Sequence, residues 1–225
     1  MIDQTWSEQR AGKWTASEIW KLFVEPRSKA DKDAGVFSET AETYILEKAV
    51  ERKTGYKKKF TSKEMEHGVI NEKDAHDAFV KHCQLNLTFT NKDFFKIDDN
   101  AGASPDAVLY SGLDVLMVVD YKCPQPLTFF QAKRALFNDE PIEKMYFYQL
   151  QMQMLATKAT KAFLVYYLAE EFGNTYTGEI EHRFDLPIGD RMFYKMIDAD
   201  KSVWDEILIK IQKAEDRCQY LMSII

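Results

Sequence analysis

The residues best suited to chemistry fall within 102–124, GASPDAVLYSGLDVLMVVDYKCP. Asp106 follows Ser104 and Pro105 at the start of a short strand-like segment, and Asp120 and Lys122 stand two apart at the end of an apolar run, Val115-Leu116-Met117-Val118-Val119. Residues i and i+2 share a strand face, so this carboxylate and this ammonium point the same way. Burying either without a partner is strongly unfavourable. A divalent cation would supply one: Mg2+ takes hard oxygen ligands and keeps several waters, which Asp106, Asp120 and the carbonyl of Tyr121 can satisfy. Lys122 is then placed to orient or deprotonate a water beside the metal. The competing reading is an ion pair where a strand emerges into solvent, with Asp106 capping a turn; for each residue taken singly it is the commoner case. Taken together the residues form the pattern P-D, a gap, then D-x-K.

The elements that must position these groups alternate in type. Thr15-Ala16-Ser17-Glu18 has the form of a capping box and leads into Ile19, Leu22 and Phe23, predicting a short helix that stops before Pro26. Residues 27–35 are charged and rich in breakers, and read as a loop. A second helix is expected over 39–54, ending at Gly55, and a third over 64–83, with Val69, Ile70, Ala75, Ala78 and Phe79 as its apolar residues and Gly68 placed for close packing. Residues 85–90, 94–97 and 107–110 have strand composition, and 114–122 reads as a strand covered on both faces. Helices are expected over 128–137 and 143–157, a buried strand over 161–169, and one long amphipathic helix over 190–222 with a break near Ala199. This order predicts an α/β (α+β) fold, a mixed central sheet flanked by helices, in a single domain spanning 1–225.

Composition narrows the classes further. The 225 residues are 45% apolar, 29% charged and 13% aromatic, which is globular rather than disordered or coiled-coil. Lys and Arg total 30 against 36 Asp and Glu, a formal charge of −6, so nucleic-acid contact must come from a local basic patch; Lys57-Lys58-Lys59 is the densest run and reads equally well as a solvated turn. Cys83, Cys123 and Cys218 form no CxxC pair and argue against a disulfide framework or a zinc or iron–sulfur site. His67, His76, His82 and His182 lack metal-binding spacing and are assigned surface or satisfied interior roles. No P-loop, dinucleotide fingerprint or Ser/Cys nucleophile motif is present, and no apolar run approaches membrane-spanning length. A reduced, cytoplasmic protein is expected.

With these residues in place, the sequence resembles the YqaJ-type phage recombination exonucleases, the lambda-exonuclease family within the PD-(D/E)xK nuclease superfamily. The likeness covers roughly residues 6–169. It rests on Trp6, Arg10, Gly12 and the TASE block 15–18; on Gly68, Glu72 and Ala75; on Ser104-Pro105-Asp106; on Asp120-Tyr121-Lys122-Cys123-Pro124; and on Tyr146, Gln149 and Gln151. The resemblance implies a restriction-endonuclease-like fold with Asp106, Asp120 and the Tyr121 carbonyl as metal ligands, Lys122 as the catalytic lysine, and Glu72 reaching a second metal or its waters. Two ions about 3.5–4 Å apart can stabilise both oxygens of an in-line phosphodiester displacement. One departure is Asp120, where the lambda-type pattern has Glu. Arg10, Ser17 and Ser104 match a pocket for the 5′-phosphate. Independently, a Ser in the first turn of a capped helix and a bidentate Arg both suit an anion, although such a Ser is more often simply a cap. Tyr146 and Gln149 match supporting positions and read equally well as a packing face with Leu150 and Met154. Arg27 matches a DNA-contacting arginine and Met65 an apolar wedge between terminal base pairs.

The function so implied is a Mg2+-dependent exonuclease, with Mn2+ as possible substitute, digesting the 5′-ended strand of linear duplex DNA to leave 3′ tails for recombination. A homotrimeric ring and a single-strand annealing partner come with the resemblance, as does a bacterial host. Two alternatives remain open: a restriction- or repair-type endonuclease of the same superfamily, and a non-catalytic protein that binds DNA ends.

Overall fold

The computed structural model describes residues 9–56, 63–90, 93–174 and 179–225. Trp6 and Lys57-Lys58-Lys59 lie outside them, as does the side chain of Met65. A five-stranded mixed sheet forms the centre, in the order β10 (Met192–Asp198), β7 (Lys161–Tyr167), β6 (Asp114–Lys122), β5 (Ala107–Ser111), β2 (Thr88–Phe89). Within this sheet β6 and β7 run parallel, with Asp120 opposite Leu164 and Lys122 opposite Tyr166, and the other described pairs are antiparallel. A parallel pair needs a long crossover, and here it holds two helices, α4 (Pro126–Phe137) and α5 (Lys144–Thr157). Opposite them, α3 (Lys63–Cys83) covers the other face.

Side-chain alternation along the strands decides which groups meet. Val119 and Tyr121 of β6, with Val165 and Tyr167 of β7, pack beneath Ala75 and Phe79 of α3. Val118, Leu164 and Tyr166 face the other way, against Phe129 of α4 and Leu150 and Met154 of α5. Asp120 and Lys122, in phase with Val118, therefore point toward α5. A third cluster joins α2 (Glu39–Thr54) and the C-terminal helix α7 (Lys201–Ile224) to Trp14. Ser38 caps α2 by accepting from the Ala41 N–H, and Gly55 ends it at φ 71°, the left-handed conformation that glycine adopts freely. Arg52 and Glu215 bridge α2 and α7 at 2.6 Å. A small sheet β1-β4-β3 (Trp14–Thr15, Ala101–Ala103, Phe95–Lys96) and a hairpin β8-β9 (Glu171–Asn174, Glu179–Arg183) complete the described strands. Among the described residues, no helix is long and apolar enough to cross a membrane.

Several expectations need correction. The long helix over 190–222 is a short helix α6 (Ile188–Arg191), then strand β10, then α7 capped by the Asp200 carboxylate. The loop over 27–35 contains a one-turn helix, α1 (Lys29–Asp33), capped by Ser28. The capping box at 15–18 does not form: Thr15 pairs in β1, and a 3-10 turn starts only at Ile19 without a side-chain cap. Both-face coverage holds only for the second half of β6; Leu116 is 47% exposed. Of the apolar residues of α3, Ala75 and Phe79 are buried while Val69 and Ile70 are exposed. Gly68 has no neighbour within 4 Å of a built Cβ among the described residues, so close packing does not account for it.

Candidate active site

The polar centre of the molecule lies at the C-terminal end of β6. Asp120 is 2% exposed. Its Oδ1 accepts from Gln149 Nε2 at 2.5 Å and from Gln153 Nε2 at 2.9 Å. Its Oδ2 is buried and forms an ion pair with Lys122 Nζ at 2.6 Å. Lys122 also donates to Gln149 Oε1 at 3.2 Å, and its ammonium sits 4.7 Å from the centre of the Tyr146 ring, within cation–π range. One amide thus touches both members of the ion pair, and the solvent-exposed pair weighed from the sequence gives way to a buried one.

Asp106 enters from the β5 side. Its backbone N–H donates to the Val119 carbonyl at 3.0 Å, and its Oδ2 accepts from the Tyr121 N–H at 2.7 Å. Burial and the nearby charges of Asp120 and Glu72 push the Asp106 carboxyl well above its ordinary range, and Lys122 with the Tyr121 N–H offset this only in part. Lys122 shows the complement. Burial opposes its charge, but Asp120 and Asp106 outweigh burial and push it up to about 12, so it is an ammonium at neutral pH. Glu72, on α3, is half-buried and close enough to act electrostatically on Asp106 and Cys123. Cys123, buried directly after β6, is pushed strongly upward by burial, then by Glu72 and Asp106.

Asp106, Asp120, Lys122, Tyr146 and Gln149 thus lie together at the end of β6, with Glu72 near them on α3. Among the described residues no three acidic, His or Cys side chains stand close enough to hold an ion unaided. The ligand atoms that do gather are the carboxylate oxygens of Asp106 and Asp120, with Glu72 nearby, and hard oxygen ligands suit a hard cation completed by water. Arg10 donates to Ser17 Oγ at 2.8 Å. Burial lowers the Arg10 pKa, and Glu18, Tyr44 and Asp106 act to raise it, which ties this corner to the acid cluster. Ser17 is exposed in the turn before the 3-10 segment, so no helix N-terminus serves it. Ser104 Oγ is buried and has no partner among the described residues. Arg27 is exposed in the segment after Pro26, and no described contact joins it to the cluster.

Sequence reasoning missed Gln153. Its signal was the spacing of four from Gln149, which puts both amides on one face of α5. Gln151, singled out from the sequence, points elsewhere: it donates to the Asp198 carbonyl and accepts from the Asp200 N–H and Trp204 Nε1. The histidines follow expectation. His76 pairs with the Tyr121 hydroxyl at 3.0 Å, His67 is buried beside Asn71, and His82 and His182 are exposed.

Comparison with known proteins extends this picture. The fold is similar to that of an alkaline exonuclease, LHK-Exo, from Laribacter hongkongensis: TM-score 0.73 at 19% identity, covering 98% of this chain and 95% of that one. The same exonuclease in complex with dAMP matches at TM-score 0.72 and 20% identity, over 97% and 96% of the two chains. A phage-related exonuclease from Haemophilus somnus 129PT matches at TM-score 0.73 and 21% identity, over 94% and 95%. No curated protein sequence gives a significant match. The model of the YqaJ-like viral recombinase domain matches residues 5–160, which take in all the acids, the lysine and both amides of the β6 cluster, and the chain belongs to that family.

Proposed function

We propose that the chain is a divalent-metal-dependent exonuclease, acting as one domain over 1–225, that digests the 5′-ended strand of linear duplex DNA and leaves 3′ tails for recombination. The observation that carries this reading is the convergence of Asp106, Asp120 and Lys122 at the end of β6, with Asp106 bonded to the Tyr121 N–H and Asp120 Oδ2 buried beside the lysine. The similarity of the fold to two exonucleases, one of them bound to dAMP, supports it.

In this reading Asp106, Asp120 and the Tyr121 carbonyl hold Mg2+, or Mn2+ in its place, and Glu72 holds a second ion directly or through water. The ions supply a polarised phosphate and a more acidic water. Lys122, charged at neutral pH, orients the attacking water and balances charge building on the phosphate. Gln149 and the Tyr146 ring keep the Lys122 ammonium in place. Arg10, Ser17 and Ser104 take the terminal 5′-phosphate: the guanidinium offers paired donors, and Ser104 Oγ is buried without a partner among the described residues. Arg27 and Met65 contact the duplex end. A homotrimeric ring, a single-strand annealing partner and action in the cytoplasm of a bacterial host belong to the same reading.

The test is digestion of one linear duplex labelled separately at each terminus and carrying either 5′-phosphate or 5′-hydroxyl, with and without Mg2+. Release from the 5′ label, faster with phosphate and abolished by chelator, is expected. Nicking of a circular plasmid would transfer the assignment to an endonuclease, and no digestion in Mg2+ or Mn2+ would leave only DNA-end binding.

A further inference from the structure

Gln153 has no evident use to the fold. It is 1% exposed on α5, its Oε1 is buried with no hydrogen-bond partner among the described residues, and an apolar side chain of similar shape would avoid that penalty. What it does make is a hydrogen bond of 2.9 Å from Nε2 to Asp120 Oδ1, beside that of Gln149 at 2.5 Å. Two amide donors thus converge on one oxygen of one carboxylate.

The terminal torsion of an Asp side chain is broad, so an unsupported carboxylate samples many orientations. Donors on Oδ1 remove that freedom and turn Oδ2 toward Lys122, at 2.6 Å. From this we infer that Gln153 is a positioning residue, which with Gln149 clamps Asp120 so that Oδ2 alone is presented to the cation. The inference rests on the metal-dependent reading above and deepens it. Groups that orient a metal-binding carboxylate typically contribute a factor of about 10–100 in metal affinity.

Gln153→Met keeps length and removes the donor; Gln153→Asn keeps the amide but draws it back from Asp120. Mn2+ binding is measured by calorimetry on the full chain without DNA, beside metal-free thermal melting and the Mg2+ concentration giving half-maximal digestion. The expected result for both variants is Mn2+ affinity weaker by about 10–100-fold, a parallel rise in the Mg2+ requirement, and recovery of turnover at high Mg2+. Gln153→Met should melt no lower than the unsubstituted protein. If the unsubstituted protein binds Mn2+ and both variants bind it equally well, the clamp is overturned while the nuclease reading stands. A lowered melting temperature with unchanged Mn2+ affinity reduces Gln153 to a packing residue and likewise overturns it. Failure of the unsubstituted protein to bind Mn2+ overturns both. Should Gln153→Met not fold, Gln153→Asn decides on the same readouts.

Discussion

Two regions of the molecule bury opposite charges, and they do so to opposite effect. At the junction of α2 and α7, both oxygens of Glu215 are supplied: Oε1 accepts from Arg52 Nη1 at 2.6 Å and Gln219 Nε2 at 2.8 Å, and Oε2 from Trp14 Nε1 at 3.0 Å. Burial pushes Glu215 up, but these donors outweigh it and hold the carboxyl below its ordinary value. At the end of β6, burial and like charge prevail and Asp106 is raised. The Glu215 pair favours the charged form, whereas at the end of β6 burial and like charge work against the charged form of Asp106.

The largest expected departure between the two regions is in activity. Lys122→Met should lower the digestion rate by about 10^2–10^4-fold while the protein remains folded, whereas Arg52→Met should leave the rate per folded molecule unchanged; circular dichroism with the end-labelled assay separates them. Next comes stability. Arg52→Ala strands a largely buried carboxylate and should be destabilising by about 3 kcal/mol in urea unfolding, and a loss under 1 kcal/mol would put this junction on a par with an exposed pair.

The pH dependence also differs in sign. Because the folded pKa of Glu215 is depressed, its contribution is present above the ordinary value of 4.5 and is lost as pH falls through the folded value. Asp106 is raised, so its contribution is present below 3.8 and lost as pH rises through its folded value. Asp106→Asn should therefore raise the metal-free melting temperature at neutral pH while abolishing digestion, and added Mg2+ should stabilise the unsubstituted protein but not the variant. An unchanged or lower melting temperature for Asp106→Asn would remove the contrast between the regions. The smallest effect is expected at Gly68, where a Cβ meets no described neighbour: Gly68→Ala should gain at most about 1 kcal/mol, the helix-propensity difference, in the same urea experiment.

Legibility in the sequence followed locality. Helix α2 and strand β6 have the bounds read from their caps and apolar runs, and Asp120 and Lys122 share a face as spacing predicted, because an i, i+2 relation on a strand needs no knowledge of distant parts; Asp106 meets them only through the β5–β6 pairing. Strand β10 was hidden because apolar residues occupy both of its faces: Phe193 and Ile197 pack on the side of α4 and α5 while Met192 and Tyr194 face Phe79 of α3, erasing the period of two. Gln153 was hidden for another reason. Its contact with Asp120 spans 33 residues of chain and depends on α5 lying across β6, which no local pattern encodes.

Cys123 carries a consequence for handling. The thiolate is the form that is alkylated, oxidised or captured by soft metals, and at this position its formation is opposed by burial and by two neighbouring acids. A sulfur therefore stands beside the carboxylates of the β6 cluster with its reactive form disfavoured, so alkylating agents and oxidants should modify it far more slowly than an exposed thiol.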